Sequence, residues 1–323
     1  MDYISLGRTG VKVSRIVLGT MNFGDRTSED DAFAILDRAV ELGINFIDTA
    51  NAYGGTGGRG ATEEILGRWF AARPGVRDDI VLATKVHSPM RDDDVNGRGA
   101  SAWQIRREAV GSLGRLQTDR IDLYQFHHID RHIPWDEMWQ AMEVLVARGE
   151  VIYTGSSNFA AWNIAQANET ANRRGSLGLV SEQSLYNLLS REVELEVIPA
   201  AQAYGLGIIP WSPLAGSLLA GAPRGADARS GVEGVARRRA ELSEQLGPFE
   251  SFAAERGWTP ASVGLAWLLH QPGVTGPIIG PRTMEQLESA VAALDISLSA
   301  DDLTELDRIF PGPGGQAPEA YAW

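Results

Sequence analysis

The chain has 323 residues, no cysteine and a formal net charge of −13. Its 44% hydrophobic content supports a large core, and its length is compatible with one α/β barrel, which commonly needs about 250 residues or more. Having no cysteine excludes disulfides, thiolate catalysis and iron–sulfur clusters, while the acidic balance disfavours broad adhesion to nucleic acid or anionic lipid.

Residues 3–6 and 11–14 read as a small hairpin turned by Arg8-Thr9-Gly10. Eight strand-like runs follow, at 16–18, 46–48, 80–85, 121–127, 153–156, 180–183, 207–210 and 277–280. Helical patterns alternate with them, at 29–42, 62–72, 101–116, 135–148, 160–174, 193–204, 259–270 and 283–293. Ser28 before Glu29-Asp30-Asp31 and Thr259 before Pro260 are helix-start signals. Eight strand–helix units imply a (β/α)8 TIM barrel with an N-terminal β-hairpin, one domain over residues 1–323. Long loops are expected at 88–100 and 214–234 and in the tail from Pro311. Residues 197–223 and 257–281 lack Asp, Glu, Lys and Arg, but their prolines, glycines and polar residues break any continuous spanning helix. With no apolar signal-peptide core at the start, a cytoplasmic protein with no membrane partner is expected.

Active sites of such barrels gather at the carboxyl ends of the strands. Asp48, Lys85, His127 and Gln183 end strands there, and Tyr53, Ser157, Asn158, Trp211 and Arg282 follow strands. Asp48, Tyr53, Lys85 and His127 suit carbonyl reduction. An ammonium beside a tyrosine lowers its pKa from about 10, a carboxylate holds the ammonium, and a neutral histidine orients the carbonyl oxygen. Lys85 is one of only two lysines, so its use inside an apolar strand departs from the chain's preference for arginine. Singly, these side chains also fit a loop cap, a packed aromatic or a strand-end cation.

His127-His128, with His87 and His132 nearby, invites a metal reading. Neighbours on a strand point to opposite faces, so no metal site is expected. Gly55-Thr56-Gly57-Gly58-Arg59-Gly60 matches a dinucleotide-binding pattern, but it follows the second parallel strand and reads better as a flexible active-site loop. Trp103, Trp135, Trp139, Trp162, Trp258 and Trp267 read as helix packing residues.

The segments Asn45-Phe46-Ile47-Asp48-Thr49-Ala50 with Tyr53, Thr84-Lys85 and Asp122-Leu123-Tyr124-Gln125-Phe126-His127 occur in that order. Gly155-Ser156-Ser157-Asn158-Phe159 and Trp211-Ser212-Pro213-Leu214 continue the series. Together they resemble the aldo-keto reductases, from Leu6 to Phe310. The resemblance implies an NADPH/NADP+-binding barrel acting on a small-molecule carbonyl substrate. By matching position it makes Tyr53 the proton donor, Asp48 and Lys85 its tuning partners, and His127 the substrate-orienting group, with His128 lining the pocket. It assigns Ser157, Asn158 and Gln183 to the nicotinamide carboxamide and Trp211 to the nicotinamide ring. Gly19, Thr20 and Met21 stand beside the cofactor, and Ser212, Leu214, Gly216 and Leu218 fall in the pyrophosphate segment. Gly280, Arg282 and Gln286 match the adenosine-2′-phosphate segment, although Ser289 and Ala290 depart from the acid and asparagine of many relatives. Met21, Phe23 and His87 are further pocket candidates.

The expected function is NADPH-dependent reduction of an aldehyde or ketone. Stretches such as Gln166-Ala167-Asn168-Glu169-Thr170 and the ending Phe310-Pro311-Gly312-Pro313-Gly314 also look similar to nucleotide-diphospho-4-keto-6-deoxyhexose 2,3-reductases. A third reading is an NADPH-binding interaction subunit similar to potassium-channel β subunits, which carry asparagine where His127 stands. The sequence leaves substrate, stereochemistry and oligomeric state open.

Overall fold

The computed structural model describes residues 1–221 and 233–322. Two antiparallel strands come first, β1 (Tyr3–Ser5) and β2 (Lys12–Ser14). Eight parallel strands follow: β3 (Val17–Gly19), β4 (Phe46–Asp48), β5 (Val81–Val86), β6 (Ile121–Phe126), β7 (Val151–Ser157), β8 (Leu179–Gln183), β9 (Gly207–Ile208) and β10 (Ile278–Ile279). They lie side by side in the order β10-β3-β4-β5-β6-β7-β8-β9. Backbone bonds join the two ends: Thr275 N–H donates to Ile208 O at 2.8 Å and Ile278 N–H to Pro210 O at 2.8 Å. The sheet is thereby closed into a (β/α)8 barrel.

Helices α1 (Glu29–Glu41) and α2 (Ala61–Ala71) follow the first two barrel strands, and a single turn, α3 (Val76–Asp79), leads into β5. Next come α4 (Ala102–Leu116), α5 (Trp135–Ala147), α6 (Ala161–Arg173) and α7 (Val197–Ala203). After β9 lie α8 (Glu233–Glu241), α9 (Ser243–Glu255) and α10 (Pro260–His270); after β10 lie α11 (Met284–Val291), α12 (Ala300–Ile309) and the short α13 (Glu319–Ala322). Ser28 and Thr259 cap α1 and α10 as the sequence suggests, accepting from Asp31 N–H and Ser262 N–H. No helix among the described residues is long and apolar enough to cross a membrane.

The strand interior is filled at its lower end by Val17, Phe46, Val81, Ala83, Leu123 and Val180, with Leu6 and Val13 of the hairpin region packed beneath them. Gly7 makes that seat possible. Its φ is +53°, and a Cβ there would lie 2.3 Å from Val180 O. Asn45 ties the hairpin to β4 by accepting from Ser14 N–H at 2.8 Å.

Several sequence expectations change. Helices α9 and α12 have no counterpart among the predicted elements; Gly247 and Pro248 inside α9 weaken its local signal, whereas the capping box of Ser299 and Asp302 announces α12. Within the predicted 214–234 loop, residues 215–220 form a broken 3₁₀ segment, residues 222–232 lie outside the described residues, and α8 begins at Glu233. The tail likewise ends in α13. Trp135, Trp139 and Trp267 are buried, but Trp103 and Trp162 are exposed on their helices, and Trp258 lies between α9 and α10.

Candidate active site

Strand register brings the polar side chains together. Asp48 pairs with Gly19 and Ala83, Lys85 with Gln125, and Ser157 with Gln183. These residues sit above the apolar layer just described. Gly155 contributes by lacking a side chain: a Cβ would meet Ser181 Oγ at 2.5 Å and Gln125 Cγ at 3.1 Å.

Lys85 is fully buried and donates to Asp48 Oδ2 (2.5 Å), Thr49 O (2.8 Å) and Tyr53 Oη (3.4 Å). Gln125 and Gln183 each donate an amide hydrogen to Asp48 Oδ1, at 3.0 and 2.9 Å. The carboxylate is therefore fixed from two sides and the ammonium from three. Burial opposes the charge on Lys85, yet Asp48 and Tyr53 outweigh it and hold the lysine above its ordinary value.

Tyr53 differs from the sequence expectation. Burial raises its pKa, and the opposing pull of Lys85 does not overcome it, so the hydroxyl stays a bound proton rather than a phenolate. His127 packs edge-on to Tyr53, with ring centroids 5.8 Å apart. Burial, then the positive charge of Lys85, pushes the His127 pKa down to about 2. The imidazole is neutral, and its buried Nδ1 has no hydrogen-bond partner among the described residues.

The two adjacent histidines also correct an expectation. β6 ends at Phe126, so the alternation of strand faces no longer governs His127 and His128; their rings stack at 5.1 Å with 5° between planes. His87 extends the stack, 5.3 Å from His128.

Asn158 follows β7 with φ +60° and links the next group of candidates. Its amide donates to His127 O (3.2 Å) and Ser157 Oγ (2.9 Å) and accepts from Trp211 Nε1 (3.0 Å). Beyond Trp211, positive φ values at Ser212, Ala215, Gly216 and Ser217 turn the backbone sharply, and Leu218 is buried beneath. Such turns present N–H groups in a concave row suited to anions. Thr20 donates to Asp48 O at 2.9 Å, while Met21 is exposed at the rim and Phe23 is buried.

The adenosine-side candidates stand apart from the tetrad, after β10. Gln286 Oε1 accepts from Arg282 N–H at 2.8 Å, and Thr283 caps α11 by accepting from Gln286 N–H at 3.3 Å. The helix therefore begins at Met284, one residue later than the sequence suggested, and those two N–H groups are already engaged. Gly280 O accepts from Asn22.

Two participants escaped sequence reasoning. Gln125 sits at the same strand parity as the inward-facing Leu123, so an inward polar residue could have been read there. Glu182 is fully buried behind the Asn158 turn, accepting from Ser156 Oγ, Ser184 Oγ (2.8 Å) and Phe159 N–H (3.1 Å). Burial pushes its carboxyl up to about 7 despite those donors.

Residues 15–310 match the aldo/keto reductase family. The chain belongs to that family. This aldo/keto reductase is 52% identical to an uncharacterized oxidoreductase, YrpG, of Bacillus subtilis, over the full length of both. It is 34% identical to norsolorinic acid reductase of Emericella nidulans, covering 94% of this chain and 79% of the relative. It is 30% identical to versiconal hemiacetal acetate reductase of Aspergillus parasiticus, covering 95% and 96%. Membership makes the protein an oxidoreductase of a family that acts on small-molecule carbonyl compounds.

Proposed function

We propose that this oxidoreductase reduces an aldehyde or ketone to the alcohol at the expense of NADPH, with Tyr53 giving the proton. The observation that carries this reading is the fully buried Lys85 held between Asp48 and the Tyr53 hydroxyl. The linked Ser157 and Asn158 side chains after β7, the Trp211 ring anchored on Asn158, and the concave backbone from Ser212 to Ser217 fit a nicotinamide dinucleotide. When bound, the reduced cofactor supplies the hydride.

The chain's residues supply the rest. Tyr53 and the neutral His127 both face the place where a carbonyl oxygen would sit, and hydrogen bonds there stabilise negative charge developing on it. Tyr53 releases its proton to that oxygen, and Lys85 stabilises the phenolate left behind by its charge, 3.4 Å away. Asp48 keeps the lysine protonated and in place.

Tyr53→Phe removes the proton and little else. Consumption of NADPH with an aldehyde should fall by about 10²–10⁴-fold while cofactor affinity, followed by fluorescence titration, changes little. Wild-type turnover in this variant removes Tyr53 from the role.

A further inference from the structure

Beside the histidine stack lies a cavity of about 470 Å³, lined by His87, Arg98, Gly99, Ile129, Asp130, Arg131 and His132. His87 joins it to the tetrad, because His87, His128 and His127 touch in sequence at 5.3 and 5.1 Å. The three imidazoles thus run from the tetrad to one wall of this cavity.

The charge in the cavity is unusual for a chain of net charge −13. Every acid of the preceding loop is already matched: Asp92 with Arg59 at 2.6 Å, Asp93 with Arg91 at 3.6 Å, and Asp94 with Arg107 at 2.6 Å. Arg98 has no ion pair or hydrogen bond among the described residues. Arg131 is held in place by the Trp162 face at 5.5 Å and by Asn163 Oδ1 at 3.4 Å, neither of which neutralises it. The opposing carboxylate, Asp130, accepts from the His132 N–H at 3.2 Å and packs against Gly99. Gly99 has φ +96°, and a Cβ on it would lie 2.3 Å from Asp130 Oδ2, so glycine lets the two loops close the cavity wall. Two guanidiniums against one carboxylate leave an excess positive charge facing the space.

We infer that this cavity is an anion subsite, and that the preferred substrate is a carbonyl compound carrying a carboxylate or phosphate at its far end. Planar guanidiniums bind both groups by charge-assisted, paired hydrogen bonds. This rests on the proposed reductase reading of the tetrad, since it specifies what that site prefers.

The test compares matched substrates with saturating NADPH: 4-oxobutanoate against its methyl ester, and glyceraldehyde 3-phosphate against glyceraldehyde. In wild type, kcat/KM should favour at least one charged member about tenfold to a hundredfold. The preference should shrink at high salt and vanish in Arg98→Ala/Arg131→Ala, chiefly through KM, with the neutral member little changed. Which pair responds identifies carboxylate or phosphate as the group recognised. No preference for either charged member, or a preference that survives the double variant, overturns the inference. Calorimetric titration of the same two anions into the NADP+-loaded protein reads the subsite without turnover. Binding lost in the double variant supports it even if no carbonyl compound is reduced, in which case the reductase reading alone fails; absence of binding by both anions overturns it.

Discussion

An ammonium removed from water is tolerated only when its partners replace the lost hydration. Lys85 meets that condition through Asp48, the Thr49 carbonyl and Tyr53. The same positive charge, added to burial, keeps His127 neutral. A histidine with its pKa pushed down to about 2 does not titrate in the working range. The pH profile of kcat/KM should therefore show no inflection near the ordinary value of 6.5 that disappears in His127→Asn. Nor should Tyr53 ionise below its ordinary value of 10.0 in the unliganded protein, as ultraviolet titration of wild type against Tyr53→Phe can check. Such a histidine inflection, or early phenolate absorbance, contradicts the electrostatics described. The identities of these residues were legible in the sequence because charged groups at the ends of apolar strands are conspicuous. The direction of the Tyr53 shift was not, because burial outweighs a neighbour that sequence alone makes prominent.

At the scale of elements, the pairing of β7 with β8 shifts between Thr154 and Ser156: Thr154 faces Leu179, but Ser156 faces Glu182. One extra residue in β8 makes this a bulge, and a bulge re-aims the side chains after it. Gln183 is thereby turned toward Asp48, while Glu182 is turned back into the wall behind Asn158. The three polar residues Ser181-Glu182-Gln183 carry no alternation from which this phase could be read. Glu182 has a folded-state pKa of about 7 against an ordinary 4.5, so the folded chain binds more protons than the unfolded chain between those values. Its relative stabilisation is complete below about 4.5 and is lost as pH rises through about 7, a change of about 3 kcal/mol. Glu182→Gln stays uncharged throughout, so its melting temperature relative to wild type should rise between about pH 5 and pH 8. A difference that does not change with pH would exclude this linkage. At the start of α11, Arg282→Ala should lower the ratio of NADPH to NADH affinity about tenfold to a hundredfold if its guanidinium meets the 2′-phosphate. Calorimetry with both cofactors tests it, and an unchanged ratio refutes the assignment.

Over the whole molecule, the strand–helix alternation was legible because each unit repeats the same switch from short apolar runs to helical periodicity. The additions to that repeat were harder to see. The hairpin carries its own turn signal, whereas α9 runs through Gly247 and Pro248 and depends on packing by Leu246, Phe249 and Phe252. Closure itself has no local signature; it rests on β9, β10 and the backbone bonds around Thr275 and Ile278.

The hairpin also gives the molecule a chemical handle. The chain's two lysines lie at opposite ends of the barrel: Lys85 is sealed inside, and Lys12 sits on β2, where it donates to Ser5 Oγ. An acylating reagent for primary amines should consequently modify the Lys12 side chain and spare Lys85. Peptide mass mapping after brief treatment checks this, and rapid acylation of Lys85 would show that its enclosure opens in solution. Attachment to a solid support through Lys12 would leave the proposed catalytic mouth pointing away from the surface, with its entrance unobstructed.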